Sequence, residues 1–188
     1  MRGWNAVIRR TAFGVVFVTG AVMAAAGVSL DRGKSTLSVE FSQFNVPVDA
    51  PFTKFTGTIS YDDAAPGNST AHIEIDMTSF DIGDESYNAE VRKKEWFDSA
   101  QFPKASFDAL SLKSLGDGKL EATGKLSLKG KSQVLKVPVT LKTEGKTRVF
   151  AGAVPISRAY FGIGDPLWKD TVADQVQVKF RIVVPQAS

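Results

Sequence analysis

The chain has no cysteine and a single histidine, His72, among its 188 residues. Disulfide bonds are therefore excluded, and a zinc or haem centre is not expected, because such centres usually draw on Cys or His ligands. The folded part must be held together by a hydrophobic core. Without the N-terminal leader discussed below, about 160 residues remain, which suits one domain of ordinary size.

A strong excess of either charge is also missing. The chain has 23 Lys and Arg against 20 Asp and Glu, but Arg2, Arg9 and Arg10 lie in the first 26 residues, where there is no acid. The remainder carries 20 residues of each sign and is near neutral. This balance lacks the basic footprint of nucleic-acid-binding proteins, so no nucleic-acid partner is expected.

Residues 1–26 are predicted to be a signal peptide. A basic start is followed by an uncharged, largely apolar run over residues 11–22 and by three alanines at 24–26, small residues of the kind a signal peptidase reads. The alternative is an uncleaved anchor, but the run is short for a membrane span of about 20 residues. We therefore expect export to the periplasm and one mature domain over residues 27–188.

Apolar and polar residues alternate with a period of two along most of the remaining chain. The clearest stripe covers residues 175–184, and Val183 is its one exception. Four similar stripes begin at Leu37, Ile73, Leu120 and Leu135. Turn signals separate the stripes, and only residues 87–97 resemble a helix. The pattern predicts an all-β fold, an antiparallel β-barrel of about eight strands with a short helix near residues 87–97.

Two single residues within these stripes carry predictions of their own. Pro138 points away from the apolar stripe around it, which indicates an edge, a bulge or the end of strand pairing. His72 stands between Ala71 and Ile73, so it is expected on the wet face, as a surface residue without a catalytic role.

Catalytic motifs are sparse. The chain has no Gly-x-Ser-x-Gly elbow, P-loop or dinucleotide fingerprint. Asp165, Asp170 and Asp174 crowd one loop with Trp168 and could form a carboxylate pair, but no nucleophile or cofactor partner accompanies them. We therefore predict that the protein is not an enzyme and has no cofactor.

The most specific motif lies in residues 80–107. Its landmarks, in order, are Asp81, Gly83, Val91, Arg92, Trp96, Phe97, Asp98, Phe102, Pro103 and Phe107. Their order and spacing resemble the YceI-like family, secreted bacterial lipocalin-like proteins that bind polyisoprenoids. Similar stretches at 35–41, 52–59, 126–130 and 158–164 extend the resemblance over nearly the whole mature chain. Gln43-Phe44 and Tyr87-Asn88 depart from the family pattern, and this puts the head-group preference in doubt.

The resemblance implies a periplasmic, non-catalytic protein that holds a long-chain isoprenoid, either a polyprenyl lipid or an isoprenoid quinone, in an apolar barrel. A buried Arg158 would need a partner, such as Asp81, Asp165 or a ligand head group. The residues predicted to contact the lipid are Phe41, Phe55, Ile59, Ile75, Met77, Trp96, Phe97, Phe107, Leu126, Phe150, Arg158, Phe161, Trp168 and Phe180.

A second hypothesis leaves the barrel filled by its own side chains. The protein would then act through its outer surface beside a membrane redox protein, as the fusion of some family members to b-type cytochromes suggests. The sequence leaves open which lipid is bound, which partner receives it, and the oligomeric state, a homodimer included.

Overall fold

Ten strands and one short helix make up the computed structural model, which describes residues 27–164 and 166–186. The predicted signal peptide lies outside the described residues. Short 3₁₀ turns cover Pro66–Asn68, Met77–Ser79 and Pro166–Trp168. The other elements are β1 (Val28–Ser29), β2 (Thr36–Gln43), β3 (Val46–Pro51), β4 (Phe55–Ser60), β5 (Thr70–Asp76), α1 (Glu85–Val91), β6 (Lys104–Gly116), β7 (Lys119–Leu128), β8 (Lys131–Glu144), β9 (Thr147–Ser157) and β10 (Gln175–Pro185).

All ten strands belong to one antiparallel sheet in the order β1-β4-β5-β6-β7-β8-β9-β10-β2-β3. Two contacts draw its edges together. Asp31 N donates to Val183 O at 2.7 Å, and Phe52 forms an isolated bridge with Phe80. The sheet therefore curls into a half-barrel, and the predicted antiparallel barrel fold is confirmed. The strand count exceeds the predicted eight by two, and one of the ten, β1, has only two residues, too few to show a periodic pattern.

The predicted apolar stripe of β10 faces the interior, where Ile182 and Val184 are buried. Val183, the exception to the alternation, is also buried, at 1% exposure. The segment after β1 covers it, since Val183 N donates to Ser35 Oγ and Val183 O accepts from Asp31 N. A single loop thus allows three consecutive apolar residues at the end of this strand.

Pro138 lies where the pairing between β8 and β9 ends. The β8–β9 ladder covers residues 140–144 of β8, whereas β8 pairs with β7 from Lys131 to Thr140. Because proline has no N–H to donate, it fits a position outside the β9 ladder. The predicted end of pairing is confirmed.

The helix α1 is present but shorter than predicted and begins earlier. Asp84 caps its N-terminus, accepting from Ser86 N and Tyr87 N. It ends at Val91 because the chain must turn back toward the core, and Phe97 N donates to Val91 O. The charged side chains at 92–95 lie on this turn and not on a continued helix. Within the described residues, no helix is long and apolar enough to cross a membrane.

Candidate functional site

A cavity of about 180 Å³ lies between α1, the loops around residues 96 and 163–172, and the sheet. We call it the helix-side cavity. Its wall is almost entirely apolar, and its polar side chains are Gln43, Tyr87, Glu90 and Arg158, with the indoles of two tryptophans. Eight residues predicted from the sequence line it, namely Phe41, Ile75, Met77, Trp96, Phe97, Leu126, Arg158 and Trp168.

A second cavity of about 130 Å³ lies among the strands. We call it the strand-lined cavity, because every wall residue except Ser69 belongs to a strand. Ser69 and Thr70 are its polar wall residues. Six predicted residues line it, namely Ile59, Ile75, Phe107, Leu126, Phe150 and Phe180.

The two cavities adjoin each other. Four residues line both, namely Leu37, Ile75, Leu126 and Val178. These side chains come from β2, β5, β7 and β10, so the boundary between the cavities is formed by the sheet interior itself. The arrangement is a pair of adjoining apolar spaces, which suits a slender chain.

Two predicted residues do not line either cavity. Phe55 is buried at 8% exposure, and Phe161 is buried at 1% with its ring 5.0 Å from that of Tyr160. The prediction that these two face the cavity space is therefore wrong. Both belong to the packed core, and alternation cannot separate a ring that fills a core from one that borders a cavity.

Several wall residues of the helix-side cavity were not predicted. They are Leu37, Val39, Phe52, Phe80, Ile82, Val91, Ala105, Leu128, Ile156, Ile163, Val172, Val176 and Val178. The alternation on β2 and β10 was a usable signal for Leu37, Val39, Val176 and Val178. Phe52, Phe80 and Ile163 lie outside the named strands, where no periodic pattern marks the inner face.

Glycines on the strands help to keep the strand-lined cavity open. A Cβ atom at Gly124 would lie 2.2 Å from Cζ of Phe107, and one at Gly152 would lie 2.8 Å from Cζ of Phe180. Each aromatic ring therefore lies over a bare patch of the sheet instead of projecting into the interior. Because glycine has no side chain, each ring can occupy the space above its glycine, and the space near the barrel axis stays open.

Arg158 is buried at 6% exposure beside the helix-side cavity, and its partners are backbone carbonyls. Its guanidinium donates to the oxygens of Ile163 at 2.8 Å, Val172 at 2.7 Å, Ala173 at 3.1 Å and Trp168 at 3.3 Å. The predicted pairing with Asp81 is wrong, and Asp165 lies outside the described residues. The guanidinium fastens the loop before β10 to the end of β9 and brings a positive charge to the cavity wall.

Asp81 instead helps to hold α1 in place. Its Oδ1 atom accepts from Gly83 N at 2.8 Å and from Asn88 Nδ2 at 3.0 Å. Asn88 is buried and accepts from Ile82 N through Oδ1. The hydrogen bond from the Asn88 side chain, followed by that from Gly83 N, lowers the pKa of the Asp81 carboxyl below its ordinary value. This network ties the helix to the segment that precedes it.

Aromatic rings close the helix side of the barrel. The Phe97 ring lies 5.5 Å from that of Phe80 and 6.1 Å from that of Phe52. Trp96 lies 5.3 Å from Trp168, centroid to centroid. These spacings are typical of packed aromatic pairs, so the motif at residues 96–97 joins α1 to the loop that Arg158 fastens.

Two of the other candidate polar groups, His72 and Asp174, have partners within the described part of the chain. His72 is exposed, and its Nδ1 lies 2.6 Å from Asp108 Oδ1 on the neighbouring strand. Asp174 accepts from Ser157 Oγ and Ala159 N, so its role is to hold a turn. Across residues 27–164 and 166–186, no three His, Cys, Asp or Glu side chains are grouped so that they could hold a metal ion.

Comparisons with known proteins agree with this architecture. BcnA from Burkholderia cenocepacia superposes with a TM-score of 0.80 at 40% identity, covering 82% of this chain and 99% of BcnA. A polyisoprenoid binding domain from Saccharophagus degradans, implicated in plant cell wall breakdown, gives a TM-score of 0.70 at 19% identity, covering 85% and 98% of the two chains. The latter likeness shows the fold alone.

Relatives found by sequence point the same way. A UPF0312 protein of Pseudomonas syringae pv. syringae is 25% identical over 164 residues, which cover 82% of this chain and 85% of the relative. The protein YceI of Salmonella newport is 29% identical over 133 residues, 69% of this chain and 66% of that protein. The family model of the YceI-like domain matches residues 28–184. The chain therefore belongs to the YceI-like family.

Proposed function

We propose that this protein binds the hydrocarbon chain of a long-chain isoprenoid lipid inside its half-barrel, without catalysing a reaction. The observation that carries the proposal is the pair of adjoining apolar cavities, which share four wall residues. Few polar groups face this space, so it favours a chain lipid over a sugar or a nucleotide. The solved domain from Saccharophagus degradans, a polyisoprenoid binding domain of the same fold, supports this choice.

The energetics favour a long ligand. Each buried CH₂ group contributes about 0.8 kcal/mol, whereas association costs on the order of 4–15 kcal/mol. A short apolar molecule offsets only the lower end of that cost, whereas a chain that spans both cavities offsets more of it. Each cavity is close in size to an engineered cavity of about 150 Å³ that binds benzene. Affinity should therefore rise with each prenyl unit until both cavities are filled, and then level off.

The cavities also bear on the alternative of a filled barrel. If the interior were packed by its own side chains, the protein would have to act through its surface, for instance beside a membrane redox protein. The cavity volumes of about 180 and 130 Å³ favour a ligand-holding interior. A well-packed core leaves few voids larger than a water molecule.

We further propose that the protein acts in the periplasm after its leader is removed. The basic start, the apolar run and the alanines at 24–26 support export. N-terminal sequencing of the exported protein should find a start near Gly27. Recovery of a chain that begins at Met1 in the membrane fraction would contradict this part of the proposal.

Native mass spectrometry of protein from its own periplasm tests the ligand directly, since a co-purified lipid is weighed with the chain. Binding is then measured on delipidated protein by displacement of a fluorescent lipid with prenyl alcohols of increasing length. We expect affinity to rise over the series. Equal affinity for short and long chains, or uptake of none, would leave the surface-acting accessory protein as the better explanation.

Two matched variants locate the chain within the protein. Ala105 lines the helix-side cavity and Ala122 the strand-lined cavity, and both are buried at 4% exposure. Replacing either with leucine fills part of one cavity. If the chain enters from the helix side, Ala122→Leu should weaken only the longer prenyl alcohols, whereas Ala105→Leu should weaken all of them. Unchanged binding by both variants would contradict occupancy of the cavities.

A further inference from the structure

The indole N–H of Trp96 is a buried donor without an acceptor. Its Nε1 atom is shielded from solvent and forms no hydrogen bond with any residue in 27–164 or 166–186. Buried polar groups are nearly always paired, because an unpaired one has lost its water and gained nothing in return. Within the same part of the chain one other side-chain atom shares this state, Gln133 Oε1, and Gln133 lines neither cavity.

Trp96 belongs to the wall of the helix-side cavity, and its ring packs against Trp168. The other polar wall residues differ from it in their surroundings. Tyr87 is 54% exposed, Gln43 is half-buried, and Glu90 is ion-paired with Lys93 at 2.5 Å. Arg158, in contrast, is deeply buried. The buried polar groups of this cavity are therefore concentrated near Trp96 and Arg158.

Gly164 brings these two side chains close together. A Cβ atom at Gly164 would lie 2.5 Å from Arg158 Nη1 and 3.2 Å from Trp96 Cζ3. Both groups can only donate hydrogen bonds. No carboxylate in the described part of the chain forms an ion pair with Arg158, so its charge acts on the neighbouring cavity. In an apolar interior such a charge attracts electron-rich groups more strongly than it would in water.

We propose that Trp96 Nε1 donates a hydrogen bond to an oxygen acceptor at the polar end of the bound lipid. Trp96 is then a specificity-determining residue, and this inference rests on the proposed function. The acceptor is an oxygen next to a prenyl chain, supplied either by the carbonyl of a prenyl quinone or by a prenyl phosphate. The chain extends from this end past the shared wall into the strand-lined cavity. Since protein atoms cover the N–H, the rings of Trp96 and Trp168 must shift as the head group enters.

The test compares three ligands of equal prenyl length on delipidated mature protein. These are a prenyl quinone, a prenyl phosphate and a prenyl hydrocarbon that has no acceptor. Trp96→Phe keeps an aromatic ring and removes the N–H. It should weaken binding of at least one oxygen-bearing ligand by about two- to tenfold, the range expected for one hydrogen bond, and leave the hydrocarbon within twofold. The ligand that weakens identifies the source of the acceptor.

Trp168→Phe is the matched control, since it makes the same chemical change in the same cavity wall. It should alter the three affinities by a common factor. A second readout does not depend on affinity. Beyond residue 26 the chain has two tryptophans, Trp96 and Trp168, so the indole ¹H–¹⁵N spectrum of the mature protein contains two signals. The Trp96 signal should move downfield with the oxygen-bearing ligand and not with the hydrocarbon.

The outcomes separate this inference from the proposed function. Wild-type protein that binds none of the three ligands contradicts the proposed function itself. Binding of all three with equal losses in Trp96→Phe, and an indole signal that moves alike for each, leaves the lipid-binding function standing and overturns the role of Trp96.

Discussion

The two adjoining cavities are built in different ways. The strand-lined cavity takes its wall from eight strands whose backbones are joined by ladders of hydrogen bonds. The helix-side cavity depends in addition on α1 and on the loop at 163–172, which are fastened by side chains such as Asn88 and Arg158 and by separate backbone hydrogen bonds instead of continuous ladders. Alternating apolar residues on the strands are thus sufficient to form the apolar interior. The helix-side cavity, which contains the buried polar groups, also requires hydrogen bonds that hold its loops to distant parts of the chain.

The same difference predicts which part of the molecule opens. Segments held by few backbone hydrogen bonds open locally at lower free energy than the strands of a continuous sheet. The α1 segment and the loop fastened by Arg158 lie outside the continuous ladders of the sheet and are joined to other segments by separate backbone hydrogen bonds, such as the one from Gly164 N to Glu95 O. We therefore expect lipid to enter from the helix side, with the strand-lined cavity as the closed end that receives the tail.

The largest effect should come from placing a charge in the strand-lined cavity. Phe180 lines it, with its ring over Gly152. Phe180→Asp would put a carboxylate without a partner in an apolar wall, which is very costly, so it should abolish cooperative folding or all prenyl binding. Chemical denaturation measures cooperative folding, and lipid displacement measures prenyl binding. Val134→Asp is the control, because Val134 is 61% exposed and should change stability by less than about 0.5 kcal/mol. A stable Phe180→Asp variant that still binds would show that this wall does not hold the chain.

The aromatic residues of the helix side should give the next largest effect. Phe97 is buried at 8% exposure between Phe52 and Phe80. Phe97→Ala should therefore destabilise the protein by about 3–5 kcal/mol, and Trp96→Ala by less, because Trp96 is only partly buried. Thermal or denaturant unfolding of both single variants and the double variant checks this. A double variant that unfolds like the wild type would mean that α1 and its turn do not close the barrel.

The contrast between the cavities also explains how far the sequence could be interpreted. Alternation on β2 and β10 correctly placed Phe41 and Phe180 on the inside, because period two follows directly from strand geometry. It could not place Phe161, which lies in a turn after β9. The acidic partner suggested for Arg158 was also wrong. Any residue can supply a backbone carbonyl as an acceptor, so the residue types in the sequence do not reveal such a partner.

The position of the helix followed from the interruption of the strand alternation at residues 87–97, whereas the observed bounds of the helix did not. Asp84 is a standard N-cap residue, and this signal was available in the sequence. The C-terminal bound depends on Phe97 turning back to contact Phe52 and Phe80. Such contacts depend on tertiary packing between distant segments, so no local sequence pattern predicts them.

A smaller effect should follow from filling the bare patch beneath Phe107. A Cβ at Gly124 would meet Cζ of this ring at 2.2 Å and the backbone oxygen of Asp108 at 2.9 Å. Gly124→Ala should push the ring into the strand-lined cavity and destabilise the fold by about 1–3 kcal/mol. It should also weaken binding of long prenyl alcohols more than that of short ones.

The control and the rescue use the same kind of change. Gly67→Ala has no neighbour closer than 4.0 Å and should be nearly neutral in denaturant unfolding. Adding Phe107→Leu to Gly124→Ala shortens the displaced side chain and should restore part of the lost stability. Without such rescue, the strain would have to lie at the Asp108 carbonyl, and the idea that glycines make room for the rings would be wrong.

The smallest expected effect concerns acid and the fastening of α1. Hydrogen bonds from Asn88 and Gly83 lower the pKa of Asp81 below its ordinary value of 3.8. The stabilisation from the ionised carboxylate is therefore fully present above that value and is lost as pH falls through the lower pKa of the folded state. Asp81→Asn should give an unfolding midpoint that falls less steeply between about pH 4 and pH 2 than that of the wild type.

Asn88→Ala removes the larger cause of the pKa shift and should flatten the same acid limb, the fall of the midpoint at low pH. Asp31 and Asp76, whose pKa values are also lowered, keep some acid dependence in both variants. Parallel acid limbs in wild type and Asp81→Asn, measured by denaturant unfolding at each pH, would mean that this carboxylate does not secure the helix side of the barrel.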